Sequence, residues 1–110
     1  MKPGALSEAA FQSQVEHLLR IYGWKYTHFR PAQVRGRWMT ALTGDAGFPD
    51  IVATDGESIL YIELKSNIGR LSAGQKAWLN MLESAGAEVH VWRPRDVMEA
   101  KERISRKRKV

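Results

Sequence analysis

The stretch from Phe48 to Lys65 constrains the fold more than any other part of the chain. Two runs of strand-forming residues, Phe48 to Thr54 and Ser58 to Lys65, flank Asp55-Gly56, a dipeptide favoured in two-residue hairpin turns. With Asp55-Gly56 as that loop, Thr54 pairs with Glu57 and Asp50 sits opposite Tyr61. Residues opposite one another in an antiparallel ladder share a face, and side chains alternate with period two. The sequence therefore predicts Asp50, Tyr61, Glu63 and Lys65 on one face and Leu60, Ile62 and Leu64 on the other. Asp50 and Glu63 become diagonal neighbours, about 7–8 Å apart at Cα. A bulge in the hairpin would flip one set of side chains and undo this alignment.

Helices and further strands bracket the hairpin. Ser7 to Ile21 reads as a helix, with Ser7 as N-cap and Phe11, Val15, Leu18 and Tyr22 on one face, and Gly23 as its stop. Trp24 to Phe29 is a short aromatic strand. Pro31 to Gly47 shows no obvious element, and loops of that length are usually functional or mobile. After the polar loop Ser66 to Leu71, Ser72 with Gln75 three residues on forms a capping-box pattern that opens a second helix. Its apolar face is Trp78, Leu79, Leu82 and Ala85, and it stops at Gly86. Glu88 to Trp92 is a strand ended by Pro94. Asp96 with Glu99 repeats the capping pattern ahead of a final helix. Trp78 and Trp92 follow the apolar register and read as core. The order α, β, β, β, α, β, α predicts one α/β sheet domain over residues 1–100, followed by a basic tail at 101–110.

The totals exclude several classes. A chain of 110 residues builds one small core. With no cysteine there is no disulfide, thiolate metal site or cysteine nucleophile, which suits a reducing cytoplasm. No apolar run approaches the roughly 18 residues of a membrane span. The net charge of +5 is uneven: residues 101–110 hold six of the 17 basic residues and one of the 12 acids, so the first hundred carry eleven of each. Within that neutral body, Arg20, Lys25, Arg30, Arg35 and Arg37 lie between Glu16 and Asp45 with no acid among them. Asp45 to Glu63 holds five acids and no base. Basic segments around an acidic one suit a polyanion held about a cation site; solvated charge and a solubilising tail are the alternative.

Two carboxylates and a lysine on one strand face have a chemical use. Two anions on a partly buried face repel, and desolvation adds to the cost. A divalent cation offsets both. Mg²⁺ takes oxygen ligands and is commonly held by one or two carboxylates plus substrate phosphate. It can polarise a phosphodiester and lower the pKa of an attacking water, while Lys65 orients that water or stabilises developing charge. The alternative is a solvated Glu63–Lys65 face with Asp50 as a turn-side acid. Trp38 and Met39, apolar residues inside the basic loop, fit a dimer interface, a wedge at a DNA junction or a satellite core. His17, His28 and His90 lack metal-ligand spacing. His90 reads as an outward strand residue, and His28 with Arg30 as a candidate phosphate contact.

Pro49-Asp50 followed by Glu63-Leu64-Lys65 resembles the signature of the PD-(D/E)xK nuclease superfamily. The surrounding text, SEAAFQSQV, GW, AGFPDIV, IELK, GRLSAGQKAWL and GAEVHVWRP, resembles its VRR-Nuc family from Ser7 to about Arg95. The resemblance implies a restriction-endonuclease-like core, a mixed sheet flanked by helices with the active site on the hairpin. It also implies a homodimer, Mg²⁺ or Mn²⁺, and cleavage of branched DNA such as Holliday junctions. Asp50 and Glu63 would match the metal-ligating acids and Lys65 the catalytic lysine, with the backbone carbonyl of Leu64 as a further ligand. Gln75 would match the glutamine that follows Glu-x-Lys in many members. The superfamily usually adds an acid from the first helix, where Glu8, Gln12 and Glu16 lie i, i+4 and i+8. At 100° per residue Glu8 falls nearest the apolar stripe and is placed to look inward, unless it serves only the helix dipole. Arg30, Arg35, Arg37 and Arg70 are the expected DNA contacts.

The expected activity is thus a metal-dependent endodeoxyribonuclease, in the cytoplasm of a bacterial or phage-infected cell. The alternative is a DNA-binding module of the same fold that cuts only with a partner. An RNA-directed nuclease is a third possibility, since no feature reads the 2′-OH.

Overall fold

The structure is a computed structural model that describes residues 6–29, 32–34, 36–39 and 43–106, the side chains of 32–34 and 37–39 excepted. Helix α1 spans Glu8–Ile21, and the Ser7 hydroxyl accepts the Ala10 N–H at 3.1 Å, as the cap pattern predicts. It buries Phe11, Val15 and Leu19. Leu18 is only partly buried, and Tyr22 lies beyond the last turn at the C-cap, leaving it 43% exposed. The buried stripe therefore runs through Leu19 rather than through Leu18 and Tyr22.

Strands β1 (Lys25–His28), β4 (Ile51–Thr54), β5 (Ile59–Leu64) and β6 (Glu88–Trp92) form one mixed sheet in the order β1-β4-β5-β6. The first three are antiparallel neighbours, and β6 lies parallel to β5 after a crossover through α2 (Ala73–Ser84). Between β1 and β4 the chain forms a second, two-stranded sheet from β2 (Ala32–Val34) and β3 (Arg37–Met39). This hairpin occupies the segment that reads as lacking an element. Strands of three residues are too short to show alternation, and only Gly36, at φ +79°, marks the turn.

The register of the central hairpin differs from the expected one. Thr54 pairs with Ile59, not Glu57, so Asp55 to Ser58 form a four-residue loop. The Asp55 carboxylate accepts the N–H groups of Glu57 (2.9 Å) and Ser58 (2.7 Å), which fixes the wider turn. The slip is two residues, so the two faces keep their members. Continuing the register past Ile51↔Ile62 sets Asp50 directly against Glu63, not against Tyr61.

One face of the sheet carries Ile51, Ala53, Leu60, Ile62, Leu64 and Trp92 into a core shared with α1 and with α3 (Val97–Ser105), which adds Ala100 and Ile104. The Trp24 indole closes one end by donating to the Ile104 carbonyl at 2.9 Å. Arg103 and Ile104 are buried, although the sequence reads them as the start of a tail. Helix α2 lies over the opposite face. Trp78 is half-buried rather than core: its indole donates to the Asp45 carbonyl at 3.1 Å and its ring meets Phe48 edge-on at 5.0 Å. Phe48 in turn contacts Phe29 and Tyr61 edge-on, an aromatic cluster separate from the main core. The Asp96 carboxylate accepts the Arg93 N–H at 2.9 Å and closes a 3₁₀ turn at Pro94–Asp96, so it does not cap α3 as its spacing suggests.

Candidate active site

Asp50 precedes β4 in a segment locked to the start of α2. Gly47 has φ +101°, and a Cβ there would lie 2.5 Å from the Gly74 carbonyl carbon and 2.6 Å from the Gln75 nitrogen. A Cβ on Gly74 would likewise meet the Ala46 carbonyl oxygen at 2.8 Å. Only paired glycines permit this approach, which brings Asp50 and Gln75 to one place. The Asp50 carboxylate is oriented by the Leu64 N–H, which donates to Oδ2 at 2.9 Å.

Glu63 is 2% exposed despite its charge. Its Oε2 accepts from the Gln75 amide at 3.1 Å and lies 3.9 Å from Lys65 Nζ, while its Oε1 is buried with no hydrogen-bond partner. Burial pushes the Glu63 carboxyl up to about 8, and the neighbouring charge of Asp50 adds to the shift while Lys65 opposes it. Gln75 serves two elements at once. Its carbonyl oxygen accepts the Ser72 N–H (2.8 Å), completing the capping box, and its amide nitrogen holds Glu63. The sequence shows the first role; the second needs the fold.

These residues lie in a cleft of about 520 Å³ whose other wall is α1 and the end of β1. Glu8 and Gln12 face it from α1, Glu8 exposed at the mouth. Glu16 does not line it and instead accepts from the Tyr26 hydroxyl (2.9 Å) and the Gln12 amide (2.9 Å). His28 lines the cleft and is held by Gln12 at 3.0 Å. That Gln12–His28 contact is a feature the sequence did not reveal, because nothing in the spacing joins two residues from different elements. Leu64 lines the cleft as well.

Other expected residues lie elsewhere. Arg30 and Arg35 fall outside the described residues, as does the side chain of Arg37, and those of Trp38 and Met39 with it. Arg70 is exposed on the loop that follows Lys65 and is not part of the cleft wall. His17 is exposed. His90 does not point freely outward: it bonds Glu88 at 2.7 Å and stacks on Trp92 at 4.7 Å.

The cleft fits a divalent cation on its own chemistry. A buried carboxylate oxygen without a partner beside a second carboxylate is a costly arrangement unless a cation or proton occupies it. Among the described residues no three acidic or histidine side chains converge. One or two carboxylates nevertheless suffice for Mg²⁺ when water and phosphate complete the sphere.

Comparisons with known proteins speak to the family and the fold. The model of the VRR-NUC domain family matches residues 6–96. Among solved structures, the chain is similar to Hjc of Archaeoglobus fulgidus, described as a Holliday junction resolvase from an archaeal hyperthermophile. That similarity has a TM-score of 0.51 and 27% identity over 77% of this chain and 66% of that one, so the match spans a little under two thirds of Hjc. No curated protein matches the sequence.

Proposed function

We propose, on the premise that this chain belongs to the VRR-NUC family of nuclease domains, that it is a divalent-metal-dependent endonuclease of branched DNA. The observation that carries the reading is the pair Asp50 and Glu63 in one cleft, with Oε1 of Glu63 buried without a partner and its Oε2 3.9 Å from Lys65 Nζ. Asp50 and Glu63 would hold Mg²⁺ or Mn²⁺, with Glu8 at the mouth and the Leu64 carbonyl as further candidate ligands. A divalent cation there supplies Lewis acidity toward the phosphodiester and a lower pKa for the attacking water. The chain's own part is positional. The Leu64 N–H and the Gln75 amide aim the two carboxylates. Lys65 orients the nucleophile and stabilises the charge that grows on the phosphoryl oxygens. Arg70, with Arg30, Arg35 and Arg37, is assigned to the flanking phosphates.

The choice of a junction rests on the likeness to Hjc, and that of a homodimer making paired cuts rests on symmetry, since two-fold branches suit two-fold proteins. A domain this small has little surface for reading bases, which favours recognition of shape and phosphates. No described helix is long and apolar enough to cross a membrane, and we assign the activity to the cytoplasm of a bacterial or phage-infected cell.

Cleavage of a labelled synthetic four-way junction, with linear duplex and single strand alongside, tests the proposal in Mg²⁺, Mn²⁺ or EDTA. Metal-dependent paired cuts in the junction alone, absent in Glu63→Ala, are expected. Equal cutting of all three substrates would remove the junction preference. Tight binding with no cutting under any metal would leave a binding module.

A further inference from the structure

The loop after Lys65 presents the most exposed large apolar side chain of the described residues, and presents it rigidly. Ile68 is 92% exposed. It sits at the third position of a turn in which the Gly69 N–H donates to the Ser66 carbonyl (3.3 Å) and hydroxyl (2.9 Å). Two arginines from the segment after β6 hold that turn. Arg93 donates to the carbonyls of Ser66 and Gly69, both at 2.6 Å. Arg95 holds Asn67 through its backbone N–H (3.1 Å) and its guanidinium (3.3 Å). The turn also abuts the site, because a Cβ on Gly69 would lie 3.5 Å from Lys65 Cδ. Scattered exposed apolar residues are ordinary, but a tip of this kind normally carries a small polar residue, and fixing it in place adds nothing to the core.

Its surroundings select the partner. From Lys65 to Ser72 there are two cations and no acid, and Arg93 and Arg95 add two more beside the turn. An apolar tip framed by cations is poorly matched to a second copy of itself and well matched to nucleic acid, where isoleucine is among the side chains that wedge between base steps. We propose that Ile68 is a wedge that enters an unstacked base step at a DNA branch point, with Arg70 and Arg95 on the adjoining phosphates. The proposal rests on the reading of the cleft as a nuclease site and adds how the branch is recognised.

The test uses a four-way junction carrying 2-aminopurine beside the branch point, whose emission rises when that base unstacks. It is titrated in EDTA, so that no strand is cut, and binding is followed by anisotropy. The intact protein and Ile68→Met are expected to raise emission at least about twofold at saturation, and Ile68→Ser to lose most of that rise. All three should share a melting temperature, because so exposed a side chain contributes little to stability. An equal rise with Ile68→Ser, no rise with any protein, or no binding overturns the wedge. So does conversion of an oligomer to monomers by Ile68→Ser, which would make Ile68 a subunit contact. An Ile68-dependent rise in a protein that never cuts DNA in Mg²⁺ or Mn²⁺ keeps the wedge and removes the nuclease reading. Cutting without that rise does the reverse.

Discussion

Glu63 has one carboxylate oxygen with a partner and one without, and its behaviour with pH follows from its burial beside Asp50. Its folded value is raised from 4.5 to about 8, first by burial and then by Asp50. Between those values the folded state holds a proton that the unfolded state has lost, so stability falls as pH rises from about 4.5 to about 8 and levels off above. In EDTA, Glu63→Gln should flatten that slope and raise the melting temperature at pH 8.5, read by thermal melts across pH. An unchanged slope would show that Glu63 ionises without penalty. Added Mg²⁺ or Mn²⁺ should recover stability in the intact protein at alkaline pH, because a cation that binds only the folded state compensates the charge left when the proton has gone. Lys65 contributes differently, since its charge opposes the shift and its ammonium lies 3.9 Å from Glu63. Lys65→Ala is expected to cut cleavage by about 10²-fold or more, with DNA affinity within a few-fold by anisotropy. Full activity would take Lys65 out of the mechanism.

At the level of elements, the site depends on how α2 meets the segment before β4. Gln75 links the cap of α2 to Glu63, and the two jobs can be separated. Gln75→Glu keeps an acceptor for the Ser72 N–H but sets a carboxylate against Glu63, so activity should fall more than tenfold while the helix content by circular dichroism stays unchanged. Gly47→Ala is expected to lower stability by about 1–3 kcal/mol in denaturant melts, because a methyl there collides with the backbone of α2. The legible part of this arrangement was whatever rests on period and turn chemistry. Alternation placed Asp50, Glu63 and Lys65 on one face, and the Ser72–Gln75 spacing marked the start of α2. The hairpin loop has four residues rather than the two its dipeptide suggests, because Asp55 can serve a four-residue Asx turn as readily as a two-residue one. The slip cost nothing in face assignment, since it was even. What stayed hidden was long-range. No local pattern joins Gln12 to His28, Gln75 to Glu63, or the clamp of Arg93 to the turn at Ile68.

For the whole molecule, the uneven charge has two separate uses. Arg103 belongs to the last basic run in the sequence, yet it makes a two-pronged contact with Glu88 and lies 5.5 Å from the Trp24 ring centre. Its partner's carboxyl is held below the usual range mainly by that contact. Arg103→Ala should therefore cost roughly 1.5–3 kcal/mol of stability and leave the salt dependence of DNA binding unchanged. Exposed cations such as Arg70 should instead set that dependence, at a slope of about −0.9 per phosphate neutralised. A change of salt slope in Arg103→Ala would return that residue to the DNA surface. The β2–β3 hairpin has a further consequence for descent. It leaves the sheet after β1 and returns at β4, two strands already paired side by side from His28↔Ile51 onward, and it forms a sheet of its own. Doubling the length of such an excursion costs only about 0.6 kcal/mol in closure entropy. In descent that arm can therefore change in length while Asp50 and Glu63 keep their places.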